Sequence, residues 1–165
     1  MSDRRVLSLA LLFGVAAAVP AAAQEPEAMS FVLIGKRDYT TIQHPGKTIV
    51  AGSLHGVLRV TDAPEGNAIP DGATLHGTCA IFISRSAAEL DIHSECTFED
   101  DDGDEVYTTA WRAEGDAEVG GGGDGGFEWV GGTGKYEGMQ SQGQCPYTVN
   151  YLEDDDVIIV SDCVR

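Results

Sequence analysis

Two runs of alternating apolar and polar side chains, residues 74–84 and 89–98, constrain the fold most, because each contains one cysteine. Opposite residues of an antiparallel hairpin have residue numbers with a constant sum, and this sum is centred on the turn. Pairing of Cys79 with Cys96 centres the hairpin on residues 87–88, where the alternation is interrupted. The face that carries both cysteines is then apolar and the opposite face mostly polar. The two runs therefore predict a disulfide-linked β-hairpin whose bridge points into the core.

The first 23 residues have the pattern of a cleaved secretory signal peptide. Arg4 and Arg5 precede an apolar run at residues 6–19, and the small residues Ala21 and Ala23 follow it. The run is shorter than the roughly 20 apolar residues that a membrane span needs, so cleavage after Ala23 is favoured over a membrane anchor. We expect one domain at residues 24–165, periplasmic or secreted, with no membrane association after the signal is removed.

The cysteine count fits an oxidising compartment. Besides the first pair, Cys145 and Cys163 are symmetric about residue 154, in an acidic stretch that suits a turn. An even number of cysteines in an exported chain predicts disulfides, here Cys79–Cys96 and Cys145–Cys163. The chain contains no pair of cysteines separated by two residues, so a zinc site or a thioredoxin-like motif has little support.

The charge of the chain disfavours several partners. The full sequence contains 27 acidic and 10 basic side chains, a net charge of −17. Loss of Asp3, Arg4 and Arg5 with the signal leaves 26 acidic and 8 basic side chains, a net charge of −18. Such a surface repels phosphate backbones and anionic lipids, which argues against nucleic-acid binding. A solubilising surface explains the charge more simply than a cationic partner or a divalent metal.

The remainder of the chain has the pattern of an all-β protein. Short runs rich in Val, Ile, Thr, Tyr and Phe are broken by Gly, Asp, Asn and Pro. The predicted strands are residues 31–36, 48–61, 74–84, 89–98, 105–113, 127–131, 135–151 and 157–164. These strands predict an eight-stranded antiparallel up-and-down β-barrel, whose last strand closes against the first. We expect Tyr107, Thr109 and Trp111 on the side of Cys96, and we expect residues 115–126, rich in glycine, to be flexible.

The stretch GGTGKYEGMQSQGQC, residues 131–145, is unusual for a strand because it contains five glycines. Glycine in a strand indicates a bulge, a sharp bend or a close backbone approach. We therefore interpret residues 135–151 as a bent strand, with Tyr136 and Met139 filling the core. The residues expected to supply the bends are Gly132, Gly134, Gly138 and Gly143.

The same stretch resembles a signature of the allene oxide cyclase and dirigent superfamily, in which a Gly-(Thr/Ser)-Gly-x-(Tyr/Phe)-x-Gly motif precedes a glycine-bearing strand. The matching residues are Gly132, Thr133, Gly134, Tyr136 and Gly138. The resemblance extends to exported bacterial proteins with a calycin-like barrel and cysteines near GTC (77–79) and SEC (94–96). It implies an eight-stranded barrel with an apolar cavity. Members of the superfamily steer reactive apolar intermediates toward one stereochemical product.

Candidate site residues are those able to place a hydroxyl group in an apolar interior. They are Ser94, Tyr107, Tyr147, Tyr151 and Ser161. No catalytic residue is identified and no cofactor or metal is expected. The four histidines, His44, His55, His76 and His93, are interpreted as surface residues. The acidic stretch 99–105 lacks the spacing of a calcium-binding loop and is interpreted as a solvated turn.

Three functions fit these expectations. The favoured one is an exported, disulfide-stabilised barrel that binds a small apolar ligand without catalysis. The alternative is a cyclase-like or dirigent-like enzyme that steers a reactive intermediate in the cavity. The third is an interaction module whose partner docks on the acidic surface. The sequence leaves the ligand, the oligomeric state and the existence of an enzymatic activity open.

Overall fold

The computed structural model describes residues 29–113 and 121–162, and at Gly121 and Cys145 the backbone alone. These residues form an all-β fold, as the sequence predicts. The strands are β1 (Ser30–His44), β2 (Lys47–Asp62), β3 (Thr74–Ser86), β4 (Leu90–Glu99), β5 (Glu105–Arg112), β6 (Gly121–Gly132), β7 (Ser141–Tyr151) and β8 (Asp156–Ser161). Short 3₁₀ turns at Gly134–Tyr136 and Glu153–Asp155 precede β7 and β8.

The eight strands form one antiparallel sheet that closes into a ring. Each strand pairs with its neighbours in sequence, and β8 pairs with β1 from Phe31 opposite Ser161 to Lys36 opposite Asp156. This closure gives partners to the edges of β1 and β8, which would be unpaired in an open sheet. The predicted order of strands, with the last strand against the first, is confirmed.

The predicted hairpin of β3 and β4 is also confirmed. Cys79 lies opposite Cys96, and the two form a disulfide with a Cα–Cα distance of 4.0 Å. Cys79 is 3% exposed, so the bridge points into the core. The register of β7 and β8, with Tyr147 opposite Ser161, is the one that the second cysteine pair predicts. The Cys145–Cys163 bridge itself lies outside the described residues and stays a prediction.

The core lies inside the ring. Its buried side chains include Leu54, Leu58, Leu75, Phe98 and Val106. At the end where β4 meets β5, three connecting segments cover the core with Met29, Ile69 and Tyr136, each at most 2% exposed. These residues lie before β1, between β2 and β3, and between β6 and β7. This end of the ring is therefore packed with side chains from the connections.

The glycine-rich segment is partly a strand, contrary to the prediction. Residues 121–126 belong to β6, whereas residues 114–120 lie outside the described residues. A Cβ atom at Gly125 would collide with the ring of Tyr147, and one at Gly126 would collide with the ring of Trp111. Aromatic rings from β7 and β5 thus cover the bare backbone of β6, which stabilises glycines in a strand. The predicted flexibility is wrong for residues 121–126.

The predicted bent strand at residues 135–151 is wrong in its first part. β6 ends at Gly132 and β7 begins only at Ser141, so residues 133–140 form a connection. Gly134 has φ 50° and Gly138 has φ 74°, a left-handed conformation unlike that of an extended strand. The predicted burial of Tyr136 is confirmed, and Met139 packs against the core.

The prediction for the faces of β5 is wrong. Thr108 lies opposite Cys96 and Val106 lies opposite Phe98, so the even-numbered residues of β5 face inward. Tyr107, Thr109 and Trp111 therefore face outward. The turn decides this register, because the Asp100 carboxylate accepts hydrogen bonds from the backbone N–H groups of Asp102 (2.8 Å) and Asp104 (3.1 Å) and so places Glu99 opposite Glu105.

Candidate ligand-binding cavity

The ring encloses a cavity of about 120 Å³. Its walls are inward-facing side chains from all eight strands, and most of these side chains are apolar. Phe127 lies at the centre of an aromatic wall, with its ring edge-on to Phe31 at 6.1 Å and to Trp129 at 5.9 Å between centroids. Edge-to-face packing is a favoured arrangement of aromatic rings. The cavity therefore has apolar walls and can hold an apolar group.

Three tyrosines, Tyr39, Tyr147 and Tyr151, line the cavity among these apolar side chains. Burial in the low-dielectric interior raises the pKa of each hydroxyl, that of Tyr147 to about 12. Arg37 opposes this effect on the pKa of Tyr151, and Arg112 opposes it on the pKa of Tyr147. The hydroxyls stay protonated at neutral pH and can donate hydrogen bonds to a bound molecule.

A buried cation also contributes to the wall. Arg112, the last residue of β5, is 1% exposed, and its guanidinium carbon lies 4.9 Å from the centroid of the Tyr147 ring. Arginine stacks on aromatic faces more readily than lysine and is the preferred cation in buried places. The cavity thus combines an apolar wall with one guanidinium group.

A second recess of about 390 Å³ adjoins the cavity, and we call it the vestibule. It is lined by Arg37, Tyr39, Thr41, Thr48, Val50, Ile83, Arg85, Tyr151 and Asp155. Tyr39, Ile83 and Tyr151 line both spaces, so the vestibule leads to the cavity at the end of the ring opposite the packed connections. Arg37 lies over the Tyr151 ring at 4.5 Å and within 3.7 Å of Asp155 Oδ1.

Four of the five predicted site residues line the cavity. They are Ser94, Tyr147, Tyr151 and Ser161. The exception is Tyr107, which faces outward on β5 and whose hydroxyl donates a hydrogen bond to Glu105 Oε2 at 2.8 Å. Its expected position depended on the wrong face assignment for β5.

Sequence reasoning missed the arginines and Tyr39. The predicted first strand ended at residue 36, but β1 continues to His44, and its alternation places Arg37, Tyr39 and Thr41 on the inner face. Arg112 was missed because the wrong face of β5 was assigned inward. A constant residue sum across the 99–105 turn, applied as for the cysteines, would have placed Arg112 opposite Ile92 on the cysteine face.

The histidines lie on the surface, as expected. All four are exposed. His55 shares hydrogen bonds with Ser53 Oγ (3.1 Å) and Thr78 Oγ1 (2.9 Å), and His93 lies 3.0 Å from Glu95 Oε1. Among residues 29–113 and 121–162, no group of three or more His, Cys, Asp or Glu side chains is arranged to hold a metal ion.

The acidic turn between β4 and β5 is more ordered than a solvated turn. Lys135 Nζ lies 2.7 Å from Asp100 Oδ2 and 2.8 Å from Asp102 Oδ2, and the Tyr136 hydroxyl donates to Asp100 Oδ2 at 2.8 Å. The Lys135 ammonium, with the other donors, holds the pKa of Asp100 well below its usual range. Burial, with the hydrogen bond to Asp100, raises the pKa of Tyr136 to about 12. These contacts anchor the connection between β6 and β7 to the packed end of the ring.

Comparison with protein-family models, with curated proteins and with solved structures found no match for this chain. In the part of the chain that the structure describes, no helix is long and apolar enough to cross a membrane.

Proposed function

We propose that this chain is a binding protein that holds a small apolar molecule in the cavity without changing it chemically. The observation that carries the proposal is the cavity itself, which combines mostly apolar walls with a few hydroxyl groups. Small-molecule sites usually have this composition, because the apolar walls supply affinity and the polar groups fix orientation. Apolar cavities of about 150 Å³ hold benzene, so a ring-sized group matches the space here.

The proposal includes the kind of barrel and the compartment. We propose a barrel of the allene oxide cyclase and dirigent kind, supported by the up-and-down order of the eight strands and by the buried Tyr136 of the glycine motif. We also propose export to the periplasm, supported by the Cys79–Cys96 disulfide, since such bonds persist in oxidising compartments. Intact-mass measurement of the periplasmic protein is expected to place its first residue at Gln24.

Toluene binding tests the cavity directly. Ala110 lines the cavity, so Ala110→Leu places three additional carbon atoms in the space and is expected to abolish toluene binding. Ala80→Leu is the matched control, because Ala80 is exposed on the outer face of β3. Toluene is expected to raise the melting temperature of the wild type and of Ala80→Leu but not that of Ala110→Leu. Equal behaviour of all three proteins, or no response of the wild type to saturating toluene, contradicts the proposal.

Native mass spectrometry of protein purified from its own periplasm identifies the natural occupant. The expected result is a retained small molecule with a ring-sized apolar part in the wild type and less of it in Ala110→Leu. A wild type with no retained molecule, together with no toluene response, would remove the ligand-binding function.

The second candidate function is a cyclase-like or dirigent-like enzyme. It is favoured by one observation, the placement of the Arg112 guanidinium and the Tyr147 hydroxyl within apolar walls, where they could stabilise charge that develops in a bound intermediate. Tyr147→Phe, purified from the same host, separates the two functions. An enzyme is expected to retain a different molecule, its unconverted precursor, whereas a binding protein retains the same molecule at lower occupancy.

A further inference from the structure

The charges around the cavity are the reverse of the charges on the chain. Residues 29–113 and 121–162 contain seven Lys and Arg side chains, and three of them, Arg37, Arg85 and Arg112, line the cavity or the vestibule. The same residues contain 21 Asp and Glu side chains, and of these only Asp155 lines the cavity or the vestibule. A chain with a net charge of −17 therefore concentrates positive charge at its internal space.

Asp155 offsets little of this positive charge. Its carboxylate lies 3.7 Å from the Arg37 guanidinium, and its side chain is 74% exposed, so water and salt screen the pair. The Arg37 side chain is only 24% exposed and lies over Tyr151. In a cleft with low-dielectric walls, charges of one sign focus the field and raise the local concentration of ions of opposite sign.

The neutral polar groups around the cavity also favour an anionic ligand. The hydroxyls of Tyr39, Tyr147 and Tyr151 stay protonated and can donate hydrogen bonds, and a guanidinium group donates without accepting. A carboxylate is the complementary acceptor, and arginine binds it through charge-assisted hydrogen bonds. The apolar space for the rest of the ligand is ring-sized, as argued above.

We infer that the ligand is a small aromatic carboxylate, with its ring in the apolar cavity and its carboxylate directed to Arg37 at the boundary with the vestibule. This inference rests on the proposed binding function and adds the chemical class of the ligand. Arg37 is the residue chosen because it lines the vestibule and contacts Tyr151, which lines both spaces, whereas Arg112 lines the cavity alone.

Four probes that share a phenyl ring test the inference on the full-length wild-type protein: benzoate, benzamide, benzylammonium and toluene. Benzoate is ionised at pH 7, and benzamide has nearly the same shape without the charge. Calorimetry is expected to show that benzoate binds about tenfold more tightly than benzamide, the factor that one hydrogen bond to a charged group supplies. Benzylammonium is expected to bind more weakly than benzamide.

A pair of variants locates the carboxylate. Arg37→Met and Lys36→Met each remove one positive charge and one ion pair, but Lys36 faces outward and pairs with Asp156 at 3.0 Å, away from the vestibule. Arg37→Met is expected to weaken benzoate binding about tenfold, whereas Lys36→Met leaves it within about twofold. A cooperative thermal unfolding transition reports that each variant is folded.

The outcomes separate this inference from the proposed function. If toluene binds but benzoate binds no more tightly than benzamide, the inference is wrong and the apolar binding function stands. If the two variants weaken benzoate equally, the carboxylate does not lie at Arg37 and the inference is wrong. Should Arg37→Met fail to fold, the comparison of benzoate, benzamide and benzylammonium on the wild type still decides the chemical class of the ligand. If no probe binds, the proposed function fails as well.

Discussion

Replacement of both bridged cysteines, Cys79→Ala with Cys96→Ala, is expected to lower the free energy of unfolding by about 4 kcal/mol. The bridge joins residues 17 apart, and a loop of this size contributes about 3 kcal/mol through the entropy of the unfolded chain. Cys79 is buried in the core, and the loss of its sulfur costs about 1 kcal/mol, comparable to one buried methylene group. For a domain of this size the total corresponds to a fall of about 12 °C in melting temperature.

Urea denaturation separates the two contributions. Loss of a cross-link expands the unfolded state and raises the dependence of the unfolding free energy on urea, the m value, whereas loss of packing alone leaves it unchanged. We therefore expect the double variant to have a lower midpoint and a higher m value than the wild type. A loss below about 1 kcal/mol with an unchanged m value would refute the view that this bridge stabilises the ring by constraining the unfolded chain.

Three further results are expected. Asp100→Asn should lower stability at pH 7 by about 1 to 3 kcal/mol, because it weakens hydrogen bonds to a charged group. The Asp100 pKa is depressed in the folded state, so the stability that its carboxylate contributes is present above about pH 4 and is lost on acidification. Urea denaturation should therefore show that the variant loses less stability than the wild type between pH 5 and pH 2. Gly126→Ala should lower the free energy of unfolding by about 1 to 3 kcal/mol in thermal denaturation, because the new Cβ would collide with the Trp111 ring. If the same substitution is equally destabilising in a Trp111→Ala variant, this collision is not the cause. Non-reducing peptide mapping should join Cys145 to Cys163, and a fragment joining either of them to another cysteine would show the pairing to be wrong.

Two errors in the sequence-based fold have the same physical origin. A strand of glycines such as residues 121–126 has no side chains of its own to pack, so its local sequence predicts flexibility. In the folded protein, Trp111 of β5 and Tyr147 of β7 pack over the glycine backbone. The sequence of residues 121–126 alone does not predict these contacts. The same holds for residues 133–140, where the hydrogen bond from Tyr136 to Asp100 joins segments 36 residues apart.

The candidate site was predictable where hairpin symmetry was available. Ser94, Tyr147 and Ser161 lie on strands whose register the cysteine pairs specify, and all three line the cavity. Arg37 was not predictable in this way, because a polar segment after the first apolar run looks like a loop until its pairing with β2 is known. Arg37, to which the proposed carboxylate is directed, was therefore found only in the structure.

By itself, the sequence determined the all-β class, the order of the strands and the inward position of the first disulfide. These properties follow from the alternation of side chains and from symmetry about turns, both of which act over short distances along the chain. The tertiary structure alone decided how the glycines of β6 are covered, and that Arg37 and Arg85 line a vestibule next to the cavity that Arg112 lines. These outcomes depend on contacts between strands distant in sequence, which form only when the ring closes.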